Sequence, residues 1–385
     1  MTAQELVQPA HADLVDGHVR LAIGERAADL HPIWLRNRSQ EPGQVEATNR
    51  QRLFTPLDVP GDLCAVASDV SDGVLVVSFS DGHTARFDLD ELATALGWRD
   101  DVERPPAPEP WTAPVEPFPY VDWNAIGWSA AEADPVAVLD FLTAFYRHGY
   151  VVFRNTPVEE GAVRRICDRL GYISGNNFGW TFDVRAEPRP TDLAYTAIKL
   201  LAHTDQPYRQ PVPGIQLLHC LRNEAPGGDS TLADGLAGAE ALAAIDPAAH
   251  HALTESETEF RYDMITDTVV TFGRVLEYDR SGRFRQIRLN TKLDAPLPRP
   301  EYDLDGYYRG RRWLTEWLND PSHQVTFRLE PGDAMFVDNY RVLHGRTEFD
   351  ASKGMRHLQG AYIDHDGPDT MYRLAVRQLA GASAP

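Results

Sequence analysis

The sequence predicts an α+β protein whose larger, C-terminal part is a sandwich or jelly-roll-like barrel and whose smaller, N-terminal part is mostly β. From about residue 195 onward, short apolar segments alternate with Gly- and Pro-containing turns, which is typical of β-sandwiches and jelly rolls. Segments with helical periodicity precede these strands. A chain of 385 residues has room for two or three domains.

The N-terminal region contains a predicted β-hairpin. Residues 74–79 form an apolar strand pattern, Asp81-Gly82 is a turn signal, and residues 84–88 form the returning strand. A short helix is predicted over 90–96. This region is therefore small and mostly β.

A proline-rich stretch divides the chain. Seven residues between 105 and 119 are proline, which favours extended backbone and excludes a helix. We therefore expect a disordered tail over 1–14, a small accessory domain over 15–102, a linker over 103–119 and a second domain over 120–385.

The second domain begins with helices and continues with strands. Apolar residues at helical spacing predict helices over 134–147 and 158–170, with a strand over 150–153 between them. The later segments are predicted strands over 214–220, 284–290, 325–329, 334–337 and 358–363 and predicted helices over 239–245 and 307–318.

The composition excludes several classes of protein. The chain carries 37 Lys and Arg against 57 Asp and Glu, and its formal charge of −20 repels nucleic acid and anionic lipid. Its 3 cysteines lie far apart and form neither a disulfide framework nor a CxxC site. No signal peptide and no apolar run of membrane-spanning length is visible. We therefore expect a cytoplasmic protein without nucleic-acid or membrane partners.

A histidine and an aspartate two residues apart are the first candidates for chemistry. In extended backbone, His203 and Asp205 point to the same side, where an imidazole and a carboxylate can hold one metal ion. A chain with 13 His and 57 acidic residues contains about two such pairs by chance. His11 and Asp13 have the same spacing, so the pair alone is a weak indication.

The segment 338–346 gives His203 and Asp205 a context that the other pair lacks. His344 follows a predicted strand and, with the first pair, would complete the two-histidine, one-carboxylate triad that holds Fe(II) and leaves positions open. Arg356 follows twelve residues later, and its guanidinium suits bidentate binding of a dicarboxylate. Taken singly, a structural histidine and a surface arginine are the ordinary interpretation of these two residues.

Five segments together resemble the taurine dioxygenase-like Fe(II)/2-oxoglutarate oxygenases, and among them the γ-butyrobetaine dioxygenase-like members. In matching order and spacing, the segments are His203-Thr204-Asp205, 214–220, Gly227-Gly228-Asp229-Ser230, 338–346 and 356–362. Residues 31–36 and 80–83 also resemble the accessory domain of those members. The resemblance covers about residues 15–375 and implies a double-stranded β-helix (jelly-roll) core with flanking helices over 120–385.

The resemblance implies a set of site residues and cofactors. The residues that it assigns are His203, Asp205 and His344 to the metal, and Arg356, Ser230, Leu200 and Leu218 to 2-oxoglutarate. It further implies Fe(II), O2, stimulation by ascorbate, a small-molecule substrate and a homodimer. Because halogenating relatives lack the carboxylate, Asp205 favours hydroxylation or another oxidation over chlorination.

Two departures from the family pattern bear on function. The family's accessory domain binds zinc through three cysteines and a histidine. Residues 36–44 contain no cysteine, and His83 alone cannot form a tetrahedral site. We therefore expect no structural zinc.

The second departure concerns the substrate. In the family, an aromatic cage holds a trimethylammonium group by cation–π attraction. The residues at or beside the matching positions are Phe178, Trp180, Phe182, Asp192, Tyr195, Lys292 and Tyr362. Asp192 and Lys292 replace two amides that hold a carboxylate, and Asp192 would repel a carboxylate unless it pairs with Lys292. The aromatic residues are also ordinary members of a core.

The sequence leaves several functions open. The first choice is hydroxylation of a γ-butyrobetaine-like, carnitine-type substrate, and the alternative is a relative recruited to another amine, amino-acid derivative or secondary metabolite. A non-catalytic binding protein on the same scaffold is a hypothesis of another class. The intact set of His203, Asp205, His344 and Arg356 argues against it. A zinc hydrolase is the last hypothesis, and it leaves Arg356 unexplained.

Overall fold

A computed structural model describes residues 9–128, 133–185, 197–264 and 267–381. The chain divides into two compact units, one over residues 1–102 and one over residues 103–382. Within the described residues, no helix combines the length and the apolar character needed to cross a membrane.

The first unit contains two three-stranded antiparallel sheets and two short helices. Its elements are β1 Ala10–Val15, β2 His18–Ile23, β3 Arg26–Leu30, α1 Pro32–Arg36, β4 Ala65–Ser71, β5 Val74–Phe79, β6 Thr84–Asp88 and α2 Leu89–Ala95. The sheets have the orders β1-β2-β3 and β4-β5-β6. The hairpin of β5 and β6 matches the predicted one, and alternate residues of β5 (Leu75, Val77 and Phe79) are buried.

The ordered structure begins earlier than the sequence analysis expects. Residues 10–14, assigned there to a disordered tail, belong to β1, which pairs with β2 from Ala10 opposite Ile23 to Val15 opposite His18. The exposed and half-exposed side chains of β1 gave little apolar signal. The strand is held by backbone pairing, which a residue pattern does not reveal.

The second unit is larger. Its elements are β7 Tyr120–Asp122, α3 Pro135–His148, β8 Tyr150–Arg154, α4 Ala162–Leu170, β9 Phe182–Arg185, β10 Leu200–His203, β11 Ile215–Asn223, β12 Ser230–Asp234, α5 Gly235–Ile245, α6 Pro247–Glu255, β13 Thr258–Asp263, β14 Thr268–Gly273, β15 Leu276–Tyr278, β16 Phe284–Ile287, β17 Asp294–Pro296, α7 Leu304–Leu318, β18 Val325–Phe327, β19 Ala334–Asp338, β20 Val342–Arg346, β21 Arg356–Ile363 and α8 Asp366–Leu379.

Two sheets form the jelly-roll core of this unit. The larger has the strand order β7-β8-β19-β11-β21-β9, and the smaller has the order β10-β20-β12-β18. Side chains from both sheets share one core, in which Val152 and Leu358 of the larger sheet pack with Leu232 and Val342 of the smaller. The predicted α+β class with a jelly-roll core is confirmed.

Helices cover the outer faces of the core. Apolar residues of α3, α4 and α8 pack with the larger sheet, and those of α5, α6 and α7 pack with residues of β12 and β20 in the smaller sheet. The inner faces are therefore left to line a cavity between the sheets.

The proline-rich segment is anchored within the second unit. The indole of buried Trp111 donates to the carbonyl of His148 at 2.7 Å, and its backbone N–H donates to the carboxylate of Asp234 at 3.0 Å. The Arg341 guanidinium binds the same carboxylate at 2.8 Å and the Glu109 carbonyl at 2.6 Å. The backbone of residues 109–111 is thus bonded to the core, although its prolines exclude regular structure.

A buried histidine in the larger sheet predicts a pH dependence of stability. His219 is fully buried, and neither ring nitrogen has a hydrogen-bond partner among the described residues. Burial, followed by the charge of Arg165, lowers the pKa of His219 to about 4. The unfolded chain, with a histidine pKa of about 6.5, binds more protons over the interval below that value, so stability falls as the pH falls through it.

We expect His219→Leu to remove this loss. Between pH 7 and pH 5, the free energy of unfolding of the unsubstituted protein should fall by about 2 kcal/mol more than that of the variant. Urea denaturation at the two pH values measures the difference. Equal losses in both proteins would show that His219 does not titrate on unfolding.

Candidate active site

The smaller sheet brings the two candidate histidine ligands side by side. His203 ends β10 and lies directly opposite His344 on β20, and the two rings are 4.5 Å apart. Asp205 Oδ1 lies 3.3 Å from His203 Nε2 and 3.6 Å from His344 Nε2. One ligand atom from each residue lies within 4.8 Å of the others, as a shared metal ion requires.

Both imidazoles present a nitrogen that can bind a metal. The Nδ1 of His203 lies 2.8 Å from the carbonyl oxygen of Leu201. Because only an N–H can bond to that oxygen, a proton belongs on Nδ1, and Nε2 is the ring nitrogen that faces Asp205. Burial lowers the pKa of His344 to about 4, with Asp205 opposing the shift. His344 is therefore neutral at neutral pH, the form that ligates metals.

The third candidate ligand is an ionised carboxylate. Burial alone would raise the pKa of Asp205, but the interactions with His344 and His203 and the hydrogen bond from Tyr362 hold it well below its usual range. Its Oδ2 accepts from Tyr362 Oη at 2.6 Å and from Gln216 Nε2. These two donors fix the carboxylate while Oδ1 faces the histidines. Two imidazoles and one carboxylate fit a divalent transition metal with open positions.

The triad opens into a cavity of about 470 Å³ in the second unit. The predicted site residues that line this cavity are His203, Asp205, His344, Arg356, Ser230, Leu200, Leu218, Phe178, Phe182, Lys292 and Tyr362. Trp180 does not line it, since its side chain is 59% exposed and its ring lies against Gly175. The predicted Asp192 and Tyr195 fall outside the described residues.

Two buried guanidinium groups form one part of the cavity wall. Arg346 and Arg356 are 4% and 8% exposed, and both lie near the ring of Phe349. Burial lowers the pKa of each to about 10, and the charge of Arg356 contributes to the shift of Arg346. Both remain cations at neutral pH. Because Arg346 follows His344 by two residues on one strand, strand periodicity alone points to it as a site residue.

Glycine makes room for Arg356. Gly228 has φ +73°, and an added Cβ there would lie 3.1 Å from both Cδ and Nε of Arg356. The Nε of Arg356 is buried and has no hydrogen-bond partner among the described residues. A buried cation with an unbonded donor is poised for an anionic ligand.

Aromatic rings form a second part of the wall. The Tyr208 and Tyr262 rings stack at 4.8 Å, Tyr262 lies 6.1 Å from Phe178, and Phe178 lies 6.4 Å from Phe182. Phe182 continues the series to Tyr362 at 5.3 Å. We call these five residues the aromatic wall. The sequence analysis missed Tyr208 and Tyr262, because nothing local marks an aromatic residue of β13 as a neighbour of Phe178.

An amide beside the triad was also missed. Gln206 is 5% exposed, lines the cavity and has no hydrogen-bond partner for either side-chain polar atom among the described residues. Its backbone has φ +48°, which is uncommon for a residue with a side chain. Leaving a buried amide unbonded costs about 1–3 kcal/mol, so a polar ligand group is its natural partner. Lys292, exposed at the same cavity, supplies a positive charge.

Fold and ligand set together define a class. A jelly-roll core that carries two histidines and one carboxylate around open positions is the arrangement of non-haem, metal-dependent oxygenases. Residues 115–362 match the family model described as taurine catabolism dioxygenase TauD, TfdA family. The chain belongs to this dioxygenase family.

Two relatives identified by sequence agree with this membership. The chain is 36% identical over 361 residues to gamma-butyrobetaine dioxygenase of Pseudomonas sp. (strain AK-1), which covers 92% of this chain and 91% of that protein. It is 27% identical to the mitochondrial trimethyllysine dioxygenase of Bos taurus over 91% of this chain and 84% of that protein. A taurine dioxygenase structure from Burkholderia xenovorans aligns at 16% identity with a TM-score of 0.48, covering 60% of this chain and 82% of that chain.

Proposed function

We propose that this dioxygenase uses Fe(II) and 2-oxoglutarate to hydroxylate a C–H bond of a small zwitterionic amine, with γ-butyrobetaine as the first candidate. The observation that carries the proposal is one cavity that combines the triad, two buried arginines and an aromatic wall. Identity of 36% over 92% of the chain to a gamma-butyrobetaine dioxygenase supports the choice of substrate.

Different residues of the cavity would bind the metal, bind 2-oxoglutarate and orient the substrate. His203, Asp205 and His344 would hold Fe(II), which when bound with 2-oxoglutarate supplies the activation of O2 for oxidation of the substrate. Arg356, with Arg346 beside it, binds the distal carboxylate of 2-oxoglutarate by charge-assisted hydrogen bonds. The other residues of the cavity keep water from the oxidised position and orient the substrate.

The rest of the cavity suits the two ends of a zwitterion. The aromatic wall offers ring faces to a quaternary or substituted ammonium group, an attraction worth about 0.5–2 kcal/mol. Lys292 and Gln206 offer a cation and an amide to a carboxylate. Two of the five wall residues are phenylalanine, a weaker cation–π partner than tryptophan. Another amine or an amino-acid derivative is therefore the second candidate substrate.

The test is formation of succinate from 2-oxoglutarate with Fe(II), ascorbate, O2 and γ-butyrobetaine, paired with mass analysis of the amine. Stoichiometric succinate with a product heavier by one oxygen is expected. Trimethyllysine and a panel of primary amines serve as comparison substrates. Turnover of a panel compound but not of γ-butyrobetaine would support the proposed dioxygenase reaction and reject γ-butyrobetaine as its substrate.

Lys292→Ala should weaken the binding of an anionic substrate. Loss of one charge-assisted contact of about 1.5–3 kcal/mol raises the substrate KM by about 10- to 100-fold. The KM for 2-oxoglutarate should stay unchanged, because Arg346 and Arg356 lie on β20 and β21, whereas Lys292 lies in the turn before β17. Lys353→Ala is the matched control, since Lys353 is an exposed lysine paired with Asp350 at 3.0 Å. An unchanged substrate KM in Lys292→Ala would remove Lys292 from substrate binding.

We also propose that the first unit, with β1 from Ala10 and ending at residue 102, acts as an accessory domain without structural zinc, joined through residues 103–119 to the catalytic domain over 120–385. Ser39 Oγ lies 2.9 Å from His83 Nε2, so a hydroxyl partner supports His83 in a hydrogen-bonded role. Metal analysis of the purified protein tests this, with zinc bound at one equivalent as the contrary result. A cytoplasmic homodimer completes the proposal, and light scattering measures its mass.

A further inference from the structure

The side chain of Asn339 is bonded to the backbone of a candidate metal ligand. Asn339 is 1% exposed and lies between β19 and β20. Its Oδ1 accepts from the backbone N–H of Asp205 at 2.7 Å, and its Nδ2 donates to the backbone carbonyl of Asp205 at 3.1 Å. Both backbone polar groups of Asp205 are therefore held by one amide.

The same residue closes the loop that follows Asp205. Asn339 Nδ2 also donates to the Pro213 carbonyl at 2.9 Å, and the backbone N–H of Asn339 donates to the Gly214 carbonyl at 2.9 Å. The neighbouring Tyr340 Oη donates to the Val212 carbonyl at 3.0 Å. The consecutive carbonyls of residues 212–214, at the end of the loop 206–214, thus bond to residues 339 and 340. This loop carries two cavity residues, Gln206 and Tyr208.

Asn339 is also close in sequence to a second ligand. It follows β19 immediately and stands five residues before His344 on β20. A bond from Asn339 to Asp205 therefore links the segment that carries one ligand to the strand that carries another. Gln216 and Tyr362 bond only to the Oδ2 side of the carboxylate, so they do not fix the backbone from which it extends.

We propose that Asn339 is a positioning residue, which fixes Asp205 relative to His344 and thereby sets the affinity of the triad for a divalent metal ion. The inference rests on the proposed metal site. Outer partners of metal ligands usually contribute a factor of about 10–100 to metal affinity. Asn339 acts on the backbone of the ligand, so its effect should be of this size although it does not touch the metal.

The test is calorimetric titration of the metal-free full-length protein with Co(II), without 2-oxoglutarate, for Asn339→Ala and Asn339→Asp. Asn339→Asp keeps the acceptor for the Asp205 N–H and loses the two donated bonds. We expect the dissociation constant to rise about 10- to 100-fold in Asn339→Ala and by a smaller factor in Asn339→Asp. Thermal unfolding of the metal-free proteins reports the effect on stability separately.

Asn223→Ala is the matched control. Asn223 is 6% exposed, and its Nδ2 donates to the Leu329 carbonyl at 2.8 Å, away from the triad. This variant should lose stability and keep the Co(II) dissociation constant. An unchanged constant in a folded Asn339 variant would overturn the proposal, as would failure of both Asn339 variants to fold, which would assign the residue to fold stability. Failure of the unsubstituted protein to bind Co(II) would instead reject the metal site itself.

Discussion

Asp205→Ala will abolish metal-dependent turnover. In the proposed metal site, Asp205 supplies the anionic ligand, and its removal leaves two imidazoles to hold a divalent cation in a buried site. It also leaves the Tyr362 hydroxyl and the Gln216 amide without their common acceptor. Since disturbing an outer partner of a ligand alone costs about 10- to 100-fold, loss of a ligand should reduce turnover by more than about 100-fold. His203→Ala should behave in the same way.

The sequence offers a matched control for this prediction. Asp13 stands two residues after His11, the same spacing as in the triad, but lies on β1 of the first unit. Asp13→Ala should therefore retain full succinate formation and full Co(II) binding. Turnover of Asp205→Ala at the unsubstituted rate would remove the triad from consideration, whatever the substrate.

The closeness of the triad could be predicted from sequence because most of it is local. His203 and Asp205 share a side of one extended segment, and His344 follows a strand whose apolar pattern is visible. The structure then places His203 opposite His344 across two paired strands. Pairing of strands distant in sequence is not visible in a residue pattern. The family resemblance predicted only that His344 joins His203 and Asp205, not the strand pairing that brings it there.

The aromatic wall includes residues that the sequence does not predict as neighbours. Phe178 and Phe182 could be found by resemblance, whereas Tyr262 reaches the cavity only because β13 packs beside them. Trp180 was expected near the substrate, but the chain turns at Gly179 with φ +107° and leaves its ring exposed. Which way a loop directs a side chain depends on packing that the sequence does not display.

The boundaries of helices and strands could be predicted where local residues mark them and not elsewhere. The predicted hairpin and the strand over 334–337 match the structure within one residue, because turn residues and apolar runs mark their ends. The helix predicted over 158–170 begins only at Ala162. Gly161 at its N-cap has φ +79°, so the chain enters the helix there and not four residues earlier. Helical periodicity extended the prediction past this start.

Arg356→Ala will weaken the binding of 2-oxoglutarate more than it lowers kcat. A charge-assisted bidentate contact contributes about 1.5–3 kcal/mol, so the KM for 2-oxoglutarate should rise by about 10- to 100-fold. Substrate KM at saturating 2-oxoglutarate should change little. Arg356→Lys should recover only part of the loss, because an ammonium group cannot bond to both carboxylate oxygens in the planar geometry of a guanidinium.

The stability of the metal-free protein separates this role from a structural one. Arg356 has no ion pair among the described residues, and burial opposes its charge, as its lowered pKa shows. Removing a structural arginine would lower the unfolding temperature, whereas removing a buried cation that awaits an anion should not. Arg222→Ala, on the neighbouring strand and exposed, is the control for both measurements. An unchanged KM for 2-oxoglutarate in Arg356→Ala, with a raised KM in Arg346→Ala, would assign binding of the distal carboxylate to Arg346. Arg346 lies in the same part of the cavity wall and carries the same charge.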